Sequence, residues 1–276
     1  MEEFSEYKRL GEPGKLEKSE NWRAAIGLQQ VDDLKPSAYL IETARQNIEG
    51  EITFDEVKER LDTYYREKPA KNGDRTEEAD KVSARIAELL SKKTFTLGPV
   101  ELFTTHRHLF TGIYSFAGKI RDYDISKAEW VLNGESVIYA GASEIAATLD
   151  YDFAQEKNFK YKGLSKAQIV EHIARFISGI WQIHAFGEGN TRTVAVFAIK
   201  YLRAMGFKVE NDFFAKHSWY FRNALVRANY DNFPCNIHAT YEYLNRFFGN
   251  LLLGENHPLQ NRDLQVEKQP QRGCIP

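Results

Sequence analysis

Apolar residues recur with the 3.6-residue period of a helix along most of the chain. Over residues 165–184 the stripe is Ile169, Ile173, Phe176, Ile177, Ile180 and Trp181, and His184 continues it one turn further. After a short polar break, Val194, Phe197, Ala198, Tyr201, Leu202 and Met205 repeat the spacing, with Val196 and Ile199 widening it to an almost all-round apolar surface. Similar patterns predict helices over 141–157, 191–206, 217–229 and 238–253, and along "GPVELFTTHRHLFTGIYSF". "GKIRDYDISKAEWVLNGESVIYA" differs. Aromatic and β-branched residues flank Asn133-Gly134, a favoured two-residue turn, and predict a β-hairpin. The expectation is an all-α fold with one small β-hairpin.

Residues 1–20 are polar with Gly and Pro and read as a flexible tail. Residues 21–70 hold a helical hairpin. Ser37 caps its first helix and Gly50 ends it, while Thr53 and Glu56 have capping-box spacing for the second. "REKPAKNGDR" marks a linker, so 71–94 is linker plus the helix "TEEADKVSARIAELL", whose charges read as a solvated face. The main domain is expected over 95–253, and 254–276 as a polar tail.

Composition narrows the choices. With 276 residues and 42% hydrophobic positions the chain can bury a substantial core, and a net charge of −2 provides no general field for nucleic acid or anionic lipid. Cys235 and Cys274 form no CxxC pair, so neither a disulfide framework nor a cysteine zinc site is expected. No apolar run approaches the roughly 20 residues of a membrane span. These features point to a cytoplasmic protein without direct nucleic-acid or membrane partners.

The chemistry concentrates in "IWQIHAFGEGNTRTVAVF", residues 180–197, where two buried helices hold a polar loop in fixed geometry. Gly187, Gly189 and Asn190 accept the tight backbone that turns N–H groups inward, and the helix beginning near Thr191 adds its positive end. That is an anion nest. Arg192 is misplaced at a helix N-terminus unless an anion sits there. Glu188 suits a Mg²⁺ ion bridging phosphate oxygens, and His184 suits proton removal from an attacking hydroxyl. The loop lacks the Lys of a P-loop and the third glycine of a dinucleotide fingerprint. His106 and His108 lack metal-ligand spacing and read as one packed and one solvated histidine, and His217, Arg222 and Arg227 fit a pocket wall or a helix surface equally.

His184, Phe186, Glu188, Gly189, Asn190 and Arg192 match the Fic signature HxFx(D/E)GNGRxxR, and the chain resembles that family over roughly 95–250, including "LFTGIYSFAGKIRD" and "SWYFRNALVRANY". The resemblance implies a helical core with a β-hairpin flap, Mg²⁺ and ATP, and transfer of AMP to a Tyr, Thr or Ser hydroxyl of a target protein. It makes His184 the general base, Glu188 the metal ligand, Phe186 a core anchor, and Asn190 with Arg192 phosphate-holding groups. Gly187, Gly189 and Thr191 complete the expected nucleotide loop, and 130–139 is the expected flap against which a target docks. Thr191 replaces the second glycine, and Ala195 replaces the second arginine. In the related Doc toxin such changes accompany phosphate transfer. Phosphotransfer, another nucleotidyl transfer, or a catalytically inactive Fic-like regulatory protein are therefore the alternatives. Residues 21–70 resemble the small antitoxin domains that inhibit Fic toxins. "TYYRE", Thr63 to Glu67, has their inhibitory spacing but is followed by Lys68, so the hairpin is expected to be structural or docking, without the usual gate. An antitoxin-like or oligomeric partner, and delivery into another cell, are further expectations of the resemblance.

Overall fold

The computed structural model describes residues 3–69 and 73–267. Its α-helices are, in chain order, α1 (Glu6–Leu10), α2 (Pro13–Gly27), α3 (Ala38–Glu49), α4 (Phe54–Glu67), α5 (Thr76–Ser91) and α6 (Pro99–Phe110). They continue as α7 (Ile145–Asn158), α8 (Lys166–Ile183), α9 (Asn190–Ala204), α10 (Asn211–Ala228) and α11 (Glu242–Leu253). The fold is all-α, as the periodicity requires.

The chain divides into two compact units, Met1–Lys119 with Glu188–Ser218, and Ile120–Gly187 with Trp219–Pro276. One crossing falls in the polar loop, between Gly187 and Glu188. The other falls in α10 beside His217, whose φ of −120° breaks the helix.

In the first unit α5 packs against α2, α4, α6 and α9. Ala79, Val82, Ser83, Ile86, Ala87 and Leu90 form its buried stripe, and small residues there let neighbouring backbones approach. The charges of α5 are not all solvated, contrary to the sequence expectation, because Glu78 and Asp80 are buried with partners. Asp80 accepts the Ser37 N–H (2.8 Å) and the Tyr65 hydroxyl (2.6 Å), so the cap of α3 is tied to α5. Residues 3–20 of the expected tail are not loose: α1 and α2 begin there, and Phe4, Tyr7 and Ser19 are buried. Pro13 supplies a preset φ at the start of α2, and Trp22 donates to Asn47 of α3 at 3.0 Å. A Cβ on Gly27 would lie 2.4 Å from the Ala215 Cα, so α2 and the first part of α10 meet backbone to backbone.

In the second unit α8 packs against α7 and α11, with Phe153 edge-on to Phe176. The predicted β-hairpin is corrected, since no regular strand forms among the described residues. The reversal itself is present: Asn133 (φ 56°) and Gly134 (φ 97°) take the left-handed pair that an Asn-Gly turn demands. The ladder stops because Trp130–Leu132 winds into a single 3₁₀ turn and the Lys127 N–H is taken by the Ser136 hydroxyl. Residues 255–267 are not a loose tail. Leu264 is buried, and the Val266 N–H donates to the Val131 carbonyl at 2.8 Å. The remainder of the expected tail, with Cys274, lies outside the described residues, as do residues 70–72 of the expected linker. No described helix is long and apolar enough to cross a membrane.

Candidate functional site

The polar loop divides between the two units, Gly187 ending one stretch and Glu188 beginning the next. In the second unit, His184 ends α8 in the left-handed region (φ 50°, ψ 56°). A non-glycine residue holds that conformation only when its surroundings impose it. Arg121 imposes it: its guanidinium donates from Nε to the His184 carbonyl at 2.8 Å and from Nη1 to the Tyr123 carbonyl at 2.6 Å, with Nη2 on Ile183 and Ala140. Its own N–H donates to Ala185 at 2.9 Å. The His184 Nδ1 faces the Trp181 carbonyl at 3.3 Å, which places the proton on Nδ1 and leaves the lone pair on Nε2. Nε2 is buried with no hydrogen-bond partner, and the residue is only 3% exposed. Burial holds the imidazole well below the usual histidine range, reinforced by the Lys127, Arg121 and Arg222 cations and opposed by the Trp181 carbonyl. Phe186 is buried as a core anchor, and Gly187 is half-buried.

In the first unit, Glu188 is half-buried and its Oε1 accepts the Gly189 N–H at 3.2 Å. Gly189 has φ +77°, and a Cβ there would strike the Phe110 ring at 2.4 Å, so glycine is required by conformation and by packing. Asn190 and Thr191 are buried in the first turn of α9. Ala195, in place of the second arginine, is fully buried in the same helix.

Arg192 corrects the sequence reading. The anion that compensates it is the protein's own: Nε meets Asp32 at 2.7 Å, Nη2 meets Glu78 at 2.7 Å, and Nη1 donates to Gln29 at 3.1 Å. Its other face lies over Phe110, 4.9 Å from the ring centroid. Burial opposes the charge, but Asp32 and Glu78 outweigh it and the pKa rises. Burial likewise pushes Glu78 up, but Arg75, Arg192 and Tyr114 outweigh it and hold its carboxyl down at about 2. The guanidinium is therefore engaged by Asp32, Glu78 and Gln29 inside the first unit. Asp32 and Gln29 come from the N-terminal segment, which contacts the motif although Glu67 is exposed at the end of α4.

His106 was missed. Its Nδ1 accepts the Gly118 N–H at 2.8 Å, so Nε2 carries the proton and donates to the Glu188 carbonyl at 3.0 Å. Burial pushes it down to about 4, the Glu188 carbonyl opposes, and Arg192 adds to the depression. Histidine spacing alone gave no metal signal, and among the described residues no group of three His, Cys, Asp or Glu side chains converges. Glu78 did leave a trace, standing at i, i+4 and i+8 with Val82 and Ile86 on the buried face.

Mg²⁺ is bound by one or two carboxylates together with substrate phosphates, and the half-buried Glu188 carboxylate is a donor of the kind such an ion takes.

Residues 96–202 match the model of the Fic/DOC family. The chain is 26% identical over 143 residues to "Protein adenylyltransferase VbhT" of Bartonella schoenbuchensis, covering 48% of this chain and 29% of that protein. It therefore spans less than a third of that relative. Two solved structures are also similar at 18% identity. One is BepC of Bartonella tribocorum with bound AMPPNP, with a TM-score of 0.49, covering 64% of this chain and 87% of that one. The other is the N-terminal FIC domain of Bep8 of Bartonella sp. 1-1C, with a TM-score of 0.47, covering 62% and 81%.

Proposed function

We propose that this chain is a Fic-type transferase that moves AMP from ATP to a Tyr, Thr or Ser hydroxyl of a protein target. The observation that carries the reading is the contact of His184 Nδ1 with the Trp181 carbonyl: with the proton on Nδ1, Nε2 offers a lone pair at the histidine position of the signature. The family match and the name of the VbhT relative support the reaction class. Nε2 takes the proton of the target hydroxyl as its oxygen bonds to the α-phosphorus, and the bond from that phosphorus to the bridging oxygen breaks to release pyrophosphate. Glu188 holds Mg²⁺, which when bound neutralises phosphate charge. Gly187, Gly189, Asn190 and Thr191 form the phosphate-facing loop. Target segments dock along 130–139, where Ile138 and Trp130 are exposed.

A second reading, an inactive Fic-like binding protein, is favoured by the buried His184, the committed Arg192 and the absent second arginine. Incubation with α- and γ-labelled ATP and cell lysate, with His184→Ala as control, separates them. AMP transfer labels protein from the α position only, and phosphotransfer from the γ position only. No label from either, with other triphosphates equally silent, supports the binding protein.

A further inference from the structure

The His184 imidazole is boxed by two aromatic rings of its own unit. Tyr139 lies with its centroid 4.2 Å away at 40°, and Trp181 stands edge-on at 5.3 Å. Trp181 belongs to the same helix as the histidine, whereas Tyr139 arrives from the loop after Gly134. The Tyr139 hydroxyl donates to Glu129 Oε1 at 3.2 Å, and Arg222 meets the other Glu129 oxygen at 2.7 Å. Glu129 is fully enclosed and pairs there with that arginine. Alternate residues of the arm face opposite ways: Val137 and Tyr139 are buried, while Ile138 between them is 84% exposed. The Gln182 amide fastens the Ile138 carbonyl at 3.1 Å.

We propose that Tyr139 is a positioning residue for His184, fixing the imidazole plane and covering it, and that Glu129 and Arg222 hold Tyr139 in place. The inference rests on the transferase reading above. The charged groups that act on the imidazole are Lys127, Arg121 and Arg222, and Glu129 is reached through the tyrosine hydroxyl. Removing the ring admits water to the imidazole without removing any of those cations.

The test is NMR titration of labelled histidines in the full chain, with His184→Ala assigning the resonance. In Tyr139→Ala the His184 midpoint moves up toward 6.5, while Tyr139→Phe, which keeps the ring, stays close to the parent. In transfer assays the acid limb of kcat shifts upward in the Ala variant and KM for nucleotide does not change. If Tyr139→Ala loses its cooperative melt, Tyr139→Leu is titrated in its place. A His184 midpoint that stays at the parent value in the folded Ala or Leu variant overturns the proposal. Titration needs no turnover. A shifted midpoint in a protein that transfers nothing defeats the transferase reading, and an unmoved midpoint in an active protein defeats the role of Tyr139 alone.

Discussion

Arg192 carries no net burden of buried charge, because Asp32 and Glu78 flank it in the first unit. Glu78→Gln keeps the volume but strips one counter-charge from an enclosed guanidinium. Breaking a buried pair in this way costs roughly 3–5 kcal/mol, and the remaining Asp32 should bring the loss to the lower end. Urea denaturation checks this. Acid should act through the same carboxylate. Its folded pKa of about 2 lies below the ordinary 4.5, so the folded state binds fewer protons. Stability is therefore present above 4.5 and lost as pH falls toward 2, by on the order of 2 kcal/mol once screening on the solvent-facing Arg75 side is discounted. His106 works in the same direction in a higher window. It is held at about 4 against 6.5, so the unfolded chain takes up its proton first and stability declines as pH drops from 6.5 to about 4. His106→Asn should flatten that part of a stability-against-pH curve. It should also cost about 1–3 kcal/mol at neutral pH by leaving the Glu188 carbonyl or Gly118 N–H without its partner.

At the scale of elements, the helices were legible because their stripes are strong and their caps local: Ser37 accepts the Leu40 N–H, and Thr53 with Glu56 forms the capping box. Two elements were misread for physical reasons. The arms around Asn133-Gly134 have strand-like residues, yet a ladder needs partners for successive N–H groups, and here they go to a 3₁₀ turn and a serine hydroxyl. Residues 1–20 read as a tail because they are polar with Gly and Pro and α2 has no clear apolar face, although Phe4, Tyr7 and Ser19 are buried. The loop-to-α9 junction was read for its glycines but not for what presses on them. Gly189→Ala places a Cβ in the Phe110 ring and forces an L-residue to φ +77°. The αL conformation alone costs about 1–2 kcal/mol, and overpacking adds about 1–3 kcal/mol. A drop in thermal midpoint that Phe110→Leu partly restores would identify the ring as the obstacle.

Across the whole molecule, the motif residues were legible and their long-range partners were not, since Asp32 and Glu78 stand 160 and 114 positions before Arg192. That separation bears on the N-terminal segment. The sequence suggests that residues 21–70 are a structural or docking module without the usual gate. In the structure α2 packs along α5, Gly27 touches Ala215, and Gln29 and Asp32 hold Arg192. Truncation to residues 71–276 would expose the α5 stripe of Val82, Ile86 and Leu90 and leave Arg192 with one carboxylate. Each apolar side chain uncovered forfeits about 1.5–3 kcal/mol, and a domain has only about 5–15 kcal/mol of net stability to lose. The shortened chain should therefore lack a cooperative melting transition and bind a hydrophobic dye, instead of gaining ATP affinity. A truncated chain that melts cooperatively near the parent temperature would show that the segment is dispensable for folding.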